Sequence, residues 1–182
     1  GSLAARMTAQ TERAIEEADV ALLVVDGRTG ITPIDKHFAL LVRKKKTKVI
    51  LVVNKAEGGR ASAAISESYS LGFGEPVAIS AAHGEGLSDL YDALAPFEKK
   101  SDDENPESSE DINTPMQIAI VGRPNVGKST LVNKILGEDR VLTGPEAGIT
   151  RDAIAVDFEF DGKPIKLVDT AGMRRKSNVI AK

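Results

Sequence analysis

Cysteine is absent from the 182-residue chain. That excludes disulfides, thiolate metal sites and cysteine nucleophiles, and it fits a reducing compartment. Long hydrophobic runs are absent too: no apolar stretch approaches the ~20 residues that a membrane-spanning helix needs. The first residues lack a basic stretch followed by a long apolar one, so no secretory signal is expected there. Gly1-Ser2 reads equally as native sequence or as a cloning scar. An excess of positive charge is also missing. With 24 Lys and Arg against 27 Asp and Glu, the formal net charge is −3, and no global basic field draws the chain to nucleic acid. The short basic runs at 43–46 and 174–176 read as solvated helix ends or loops. These absences predict a cytoplasmic protein with no membrane contact.

What is present is an ordinary core composition, 41% apolar, in a length that suits one α/β domain or two small ones. Residues 20–25 and 49–53 are continuous apolar runs that end at Asp26 and Asn54. Such runs suit strands buried on both faces of a parallel sheet. Helices are expected over 9–18, 33–44, 60–69 and 87–97, with a short strand at 76–79. Residues 99–114 carry six acidic side chains and almost nothing apolar, the composition of a flexible linker. Alternation then resumes: a strand at 117–121, a helix at 128–136, and two strands at 153–160 and 165–168 joined by the Asp161-Gly162 turn. The last two are expected to form the antiparallel edge of a three-layer α/β sheet.

Gly122-Arg123-Pro124-Asn125-Val126-Gly127-Lys128-Ser129 matches GxxxxGK[ST] in full, between a strand and a helix. In that setting backbone N–H groups close around phosphates, aided by the positive helix end. Lys128 meets the β and γ phosphates, and the Ser129 hydroxyl, followed by Thr130, ligates Mg²⁺. Asp169-Thr170-Ala171-Gly172 follows the 165–168 strand; read alone it is an ordinary strand-end turn, but downstream of a P-loop its aspartate faces the metal and the Gly172 N–H the γ phosphate. Thr150 can complete the Mg²⁺ shell, or be a solvated loop threonine. Asn54-Lys55-Ala56-Glu57 ends the 49–53 strand, and Ser80-Ala81-Ala82 ends the 76–79 strand. All five elements fall at strand ends or in loops, where open parallel sheets bind ligands. In chain order the Asn54 and Ser80 elements come first and the phosphate-loop elements second.

At these residues the chain resembles the Der (EngA) family of tandem-domain GTPases. GRPNVGKSTLVNKILG, GITRD and KLVDTAGMRRK are similar to the first half of that family's second G domain. MTAQTERAIEEADVALLVVDGRTGITPIDKHFA, NKAEG and SAAHGEG are similar to the second half of its first. The resemblance implies a Ras-like P-loop NTPase sheet, here in circularly permuted order, GTP/GDP as ligand, and Mg²⁺-dependent hydrolysis. It also implies a role in assembling the large ribosomal subunit. It implies that Asn54, Lys55 and Glu57 read guanine, the carboxylate accepting from N1 and N2 and the lysine stem covering the ring, with a backbone N–H of Ser80, Ala81 or Ala82 on O6. Lys128, Thr150 and Gly172 would serve the chemistry; Ser129, Thr150 and Asp169 would hold Mg²⁺. Asn125 matches an asparagine that related GTPases use to hold K⁺, and equally suits a loop-capping amide. Two departures stand out: Glu57 replaces the usual aspartate, and GITRD replaces GTTRD. With a single P-loop, DTAG and NKxE, the chain reads as an internal fragment.

Residues 1–98 therefore read as the base-reading half of one G domain, 99–114 as linker, and 115–182 as the phosphate-reading half of the next. The two halves carry complementary motif sets and complementary unpaired sheet edges, and a linker of this kind spans roughly 20–25 Å. One hybrid G domain is expected, with a domain-swapped homodimer as the rival arrangement. Two other readings remain: a natural circularly permuted GTPase of the YlqF or YjeQ type, and a nucleotide-binding or interaction module without turnover.

Overall fold

Residues 20–26 are apolar at every position but the last, and all seven are buried. A strand can be so only at the centre of a sheet covered on both faces. The computed structural model describes residues 3–98, 114–142 and 154–169, and places this strand there. Residues 99–113 of the expected linker, and Thr150 and Gly172, lie outside the described residues.

In chain order the elements are α1 (Leu3–Glu17), β1 (Val20–Asp26), α2 (Pro33–Lys44), β2 (Val49–Asn54), α3 (Ser62–Ser68), β3 (Val77–Ala78) and α4 (Leu87–Leu94). They continue with β4 (Met116–Val121), α5 (Lys128–Leu136), β5 (Val141–Leu142), β6 (Ile154–Phe160) and β7 (Lys163–Asp169). One seven-stranded sheet runs β3-β2-β1-β4-β7-β6-β5. The β1, β2, β3, β4 and β7 pairings are parallel; β6 pairs antiparallel with both β7 and β5.

The seam between residues before and after the 99–113 stretch is the β1–β4 pair, in register from Val20↔Ile118 to Leu23↔Val121. It is closed at its start by Asp19, whose N–H donates to Gln117 O at 2.9 Å and whose Oδ2 accepts from Gln117 N at 2.8 Å. Alternation along β1 divides the core. Val20, Leu22 and Val24 pack with Leu90 of α4 and Leu131 and Ile135 of α5. Ala21, Leu23 and Val25 pack with Ile15 of α1, Val42 of α2 and Ala64 of α3. Three layers result, and one face is covered jointly by α4 and α5, from opposite sides of the seam.

Local chemistry sets the helix ends. Thr32 caps α2 in a reciprocal box: its side chain accepts from Asp35 N, and Asp35 accepts from Thr32 N, with Pro33 in the first turn. The 87–97 expectation ends early as an α-helix, at Leu94, and finishes as a 3₁₀ turn, Ala95–Phe97. Pro96 has no N–H with which to continue the α ladder. The hairpin turn has φ 51° at Asp161 and φ 78° at Gly162, the two positive values that a primed turn requires. The expected edge is corrected: β6 and β7 are antiparallel, but β7 is interior and the edge is β5. At two residues, β5 is too short to leave a periodic signal.

Candidate functional site

The parallel strands deliver Asp26, Asn54 and the 122–127 loop to the same end of the sheet, since β1 lies between β2 and β4. The loop presses close to its neighbours. A Cβ on Gly122 would lie 2.6 Å from Val24 O; one on Gly127, which has φ +99°, would lie 2.1 Å from Asn54 Nδ2. Only glycine tolerates both conditions. Asn125 adopts φ 68°, a left-handed value that asparagine accepts more readily than most residues, so backbone geometry alone explains an asparagine there. Lys128 opens α5, is buried, and donates from Nζ to Gly122 O at 2.5 Å. Ser129 and Thr130 follow it, both half-buried.

Asn54 is the hub. It is 3% exposed, donates from Nδ2 to Val126 O at 2.8 Å, and accepts on Oδ1 from Ala81 N at 3.0 Å. One amide thus ties β2 to the phosphate-type loop and to the 80–82 loop. Lys55, at φ 61°, donates to Asp26 Oδ2 at 2.9 Å and to Asn125 O at 3.0 Å. The 80–82 loop is held by reciprocal bonds between Ser80 and Glu85; Ala82 beyond it is exposed. Asp169 ends β7 with its backbone beside Ile120 of β4. Thr150 and Gly172 lie outside the described residues.

Three charged residues outside the expected set belong to this cluster. Arg123 lies in the loop with Nη2 3.9 Å from Asp26 Oδ2 and Nε 3.8 Å from Oδ1 of fully buried Asp35. It therefore offsets two carboxylates from across the seam. Arg28, in the loop after β1, donates from Nη2 to Glu57 Oε1 at 2.6 Å. Asp26 was legible as a strand-end carboxylate. The arginines were not, because their partners lie 29 or more positions away.

Burial works against the charge of Asp26, but Lys55 and the N–H groups of Arg28 and Thr29 outweigh it and hold the carboxyl below the ordinary aspartate value of 3.8. A folded-state value below the unfolded one means that the stabilisation is complete above pH 3.8 and fades as pH falls through the folded value. Urea unfolding followed between pH 6 and pH 3 is expected to lose less stability on acidification in Asp26→Asn than in the wild type; parallel losses would refute this. The Glu57 carboxyl is also held below the usual glutamate range, first by its own N–H, then by the Ser80 hydroxyl and Arg28, against partial desolvation.

A cavity of about 540 Å³ flanks the cluster between α5 and the 80–86 loop, lined by Gly84, Leu87, Thr130, Asn133, Lys134 and their neighbours Gly137 and Glu138. Of the expected ligands it touches Thr130 alone. Among the described residues no group of three His, Cys, Asp or Glu is placed to hold a metal, and no helix is long and apolar enough to cross a membrane.

A strand–glycine loop–helix unit, packed against an Asn-Lys strand end in a mostly parallel sheet, defines a P-loop nucleotide-binding fold. The family comparisons agree. The model described as "Elongation factor Tu GTP binding domain" matches residues 5–99, and the one described as "50S ribosome-binding GTPase" matches residues 117–182. The chain belongs to this family of GTPase domains. Its relatives are more particular: it is 52% identical to the GTPase Der of Parvibaculum lavamentivorans over 100% of this chain and 43% of that protein. It is 50% identical to the GTPase Der of a Ruegeria species, over 98% and 42%, and 52% identical to that of Cereibacter sphaeroides, over 98% and 41%. The chain thus spans less than half the length of these relatives. Among solved structures, YjeQ from Thermotoga maritima shares the fold, at a TM-score of 0.51 and 23% identity, covering 82% of this chain and 46% of that one.

Proposed function

We propose that the two segments build one guanine-nucleotide site within a single chain, of the kind a ribosome-assembly GTPase uses. The observation that carries this reading is the pair of bonds from Asn54 to Val126 O and from Lys55 to Asn125 O. They join the base-reading strand end directly to the phosphate-type loop.

In this reading Lys128 and the amides of Asn125, Val126, Gly127, Lys128, Ser129 and Thr130 hold the phosphates. Glu57 accepts from guanine N1 and N2, and the Lys55 stem covers the ring. Ala81 N–H is committed to Asn54, which leaves Ala82 N–H to meet O6. Ser129, with Asp169 and Thr150, is assigned to Mg²⁺, which supplies charge neutralisation at the phosphates when bound. Lys128, Thr150 and Gly172 would stabilise the charge that develops on the γ phosphate. Asn125 is assigned to K⁺, and a faster single turnover of GTP in K⁺ than in Na⁺ would separate that role from loop capping. Cytoplasmic location and contact with the large ribosomal subunit follow from likeness to the Der and 50S-binding GTPases.

Titration of the purified chain with labelled GDP, with solution mass measured at each concentration, tests the central claim. One nucleotide per monomer is expected. Binding confined to a dimer would move the seam between two chains, as in a domain-swapped homodimer, and absence of binding would remove the site.

A further inference from the structure

Residue 57 carries one methylene more than the aspartate usual at its place in the NKxD motif. A longer carboxylate has another torsion to order before it can serve as a fixed acceptor. Arg28 restrains it: the guanidinium reaches across from the loop after β1 and binds Glu57 Oε1 at 2.6 Å.

The loop that carries Arg28 is itself fixed. Arg28 N and Thr29 N donate to Asp26 Oδ1 at 2.8 and 3.2 Å, Gly27 N donates to Asn54 O at 2.7 Å, and Gly30 N donates to Asp26 O at 3.0 Å. Asp26 in turn holds Lys55, two residues before Glu57. The arginine and the carboxylate it holds are therefore tied to one rigid frame at the base-reading end of the site. Ionised carboxylate offers about four acceptor positions. Arg28 occupies one, on Oε1; Oε2 is buried beside the Ser80 hydroxyl with no well-formed hydrogen bond. Acceptor positions remain on both oxygens, but Oε2 is covered in this arrangement, so the second guanine donor reaches it only if the Ser80 side yields to the base.

We infer that Arg28 is a positioning residue for base recognition: it fixes the Glu57 carboxylate so that both guanine donors, N1–H and N2–H, meet it together. The inference rests on the guanine-site reading above. As a bare surface pair the contact would matter little, since Arg28 is 58% exposed. A positioning role makes a different claim, about discrimination between bases, and inosine diphosphate, which lacks the 2-amino group, exposes it.

The test measures GDP and inosine diphosphate affinities for the wild type, Arg28→Ala, Arg28→Lys, Glu57→Ala, Glu57→Asp and the Arg28→Ala/Glu57→Asp pair, with melting curves for each. Arg28→Ala is expected to weaken GDP about fivefold, the scale of a half-exposed charge-assisted contact, and to narrow the preference for GDP. Melting should be nearly unchanged and Arg28→Lys should restore part of the affinity. Beside Glu57→Asp, whose carboxylate has one torsion fewer to order, Arg28→Ala should change GDP affinity less than twofold. A wild-type preference for GDP that Arg28→Ala leaves intact, or an equal loss in both backgrounds, overturns the inference alone. A wild type that binds no GDP, or whose preference for GDP survives Glu57→Ala, overturns the guanine reading and this inference with it.

Discussion

Lys128→Ala is expected to lower GDP affinity by about 10²- to 10³-fold while leaving the sheet intact. The ammonium supplies hydrogen bonds to charged phosphate oxygens, each worth about 1.5–3 kcal/mol when the site is shielded, and every 1.4 kcal/mol is about tenfold in affinity. In the structure the side chain is buried with Nζ on Gly122 O, so it already lies within the loop and needs little ordering to meet a ligand. Folding should suffer less than binding: the Gly122 carbonyl that loses its Nζ partner costs about 1–3 kcal/mol. Calorimetric or fluorescence titration beside far-UV circular dichroism separates the two effects. A variant that binds GDP within threefold of the wild type would show that phosphate recognition does not run through this lysine.

Asn54→Ala should be the most damaging single truncation for the architecture. It strips the partner from Val126 O and from Ala81 N at a position only 3% exposed. Two buried groups left without bonds cost about 2–5 kcal/mol together. For a chain of this size that corresponds to a fall of roughly 10 °C in melting temperature. Asn54→Asp should be no better: it preserves the acceptor for Ala81 but sets a negative charge against the Val126 carbonyl. Thermal and urea unfolding of both variants measure this. If the melting temperature of Asn54→Ala stayed within about 2 °C of the wild type, the hub role would be untenable. Nucleotide binding should fall in parallel, because the same amide positions the loops on both sides.

Residues whose signals are local were readable in advance. The uninterrupted run at 20–25 announced a strand buried on both faces, Pro33 announced the start of α2, and Asp161-Gly162 announced the hairpin. The P-loop could be read from eight consecutive residues because its chemistry demands particular side chains at fixed spacing. What escaped notice depended on partners far along the chain. Arg123 meets Asp35, Arg28 meets Glu57, and Asp19 meets Gln117; in each case the residue type alone is compatible with an ordinary solvated charge. The two-residue β5 escaped because two positions define no period. Gly127 was read as a phosphate-loop glycine, yet the structure adds a second requirement: the side chain of Asn54 fills the space where a Cβ would go.

The Asp19–Gln117 closure has a consequence for how the molecule acquires its shape. These partners are 98 positions apart, and the central β1–β4 pair cannot form until that length of chain has been looped. Loop closure carries an entropic cost that rises with the logarithm of length, and topologies dominated by distant pairings refold slowly. The α1-to-α4 segment, whose strands pair among themselves, can gather first, leaving the exposed flank of β1 as the template on which the P-loop strand docks last. Refolding rate, more than equilibrium stability, is then the property most sensitive to the length and composition of the acidic stretch between them.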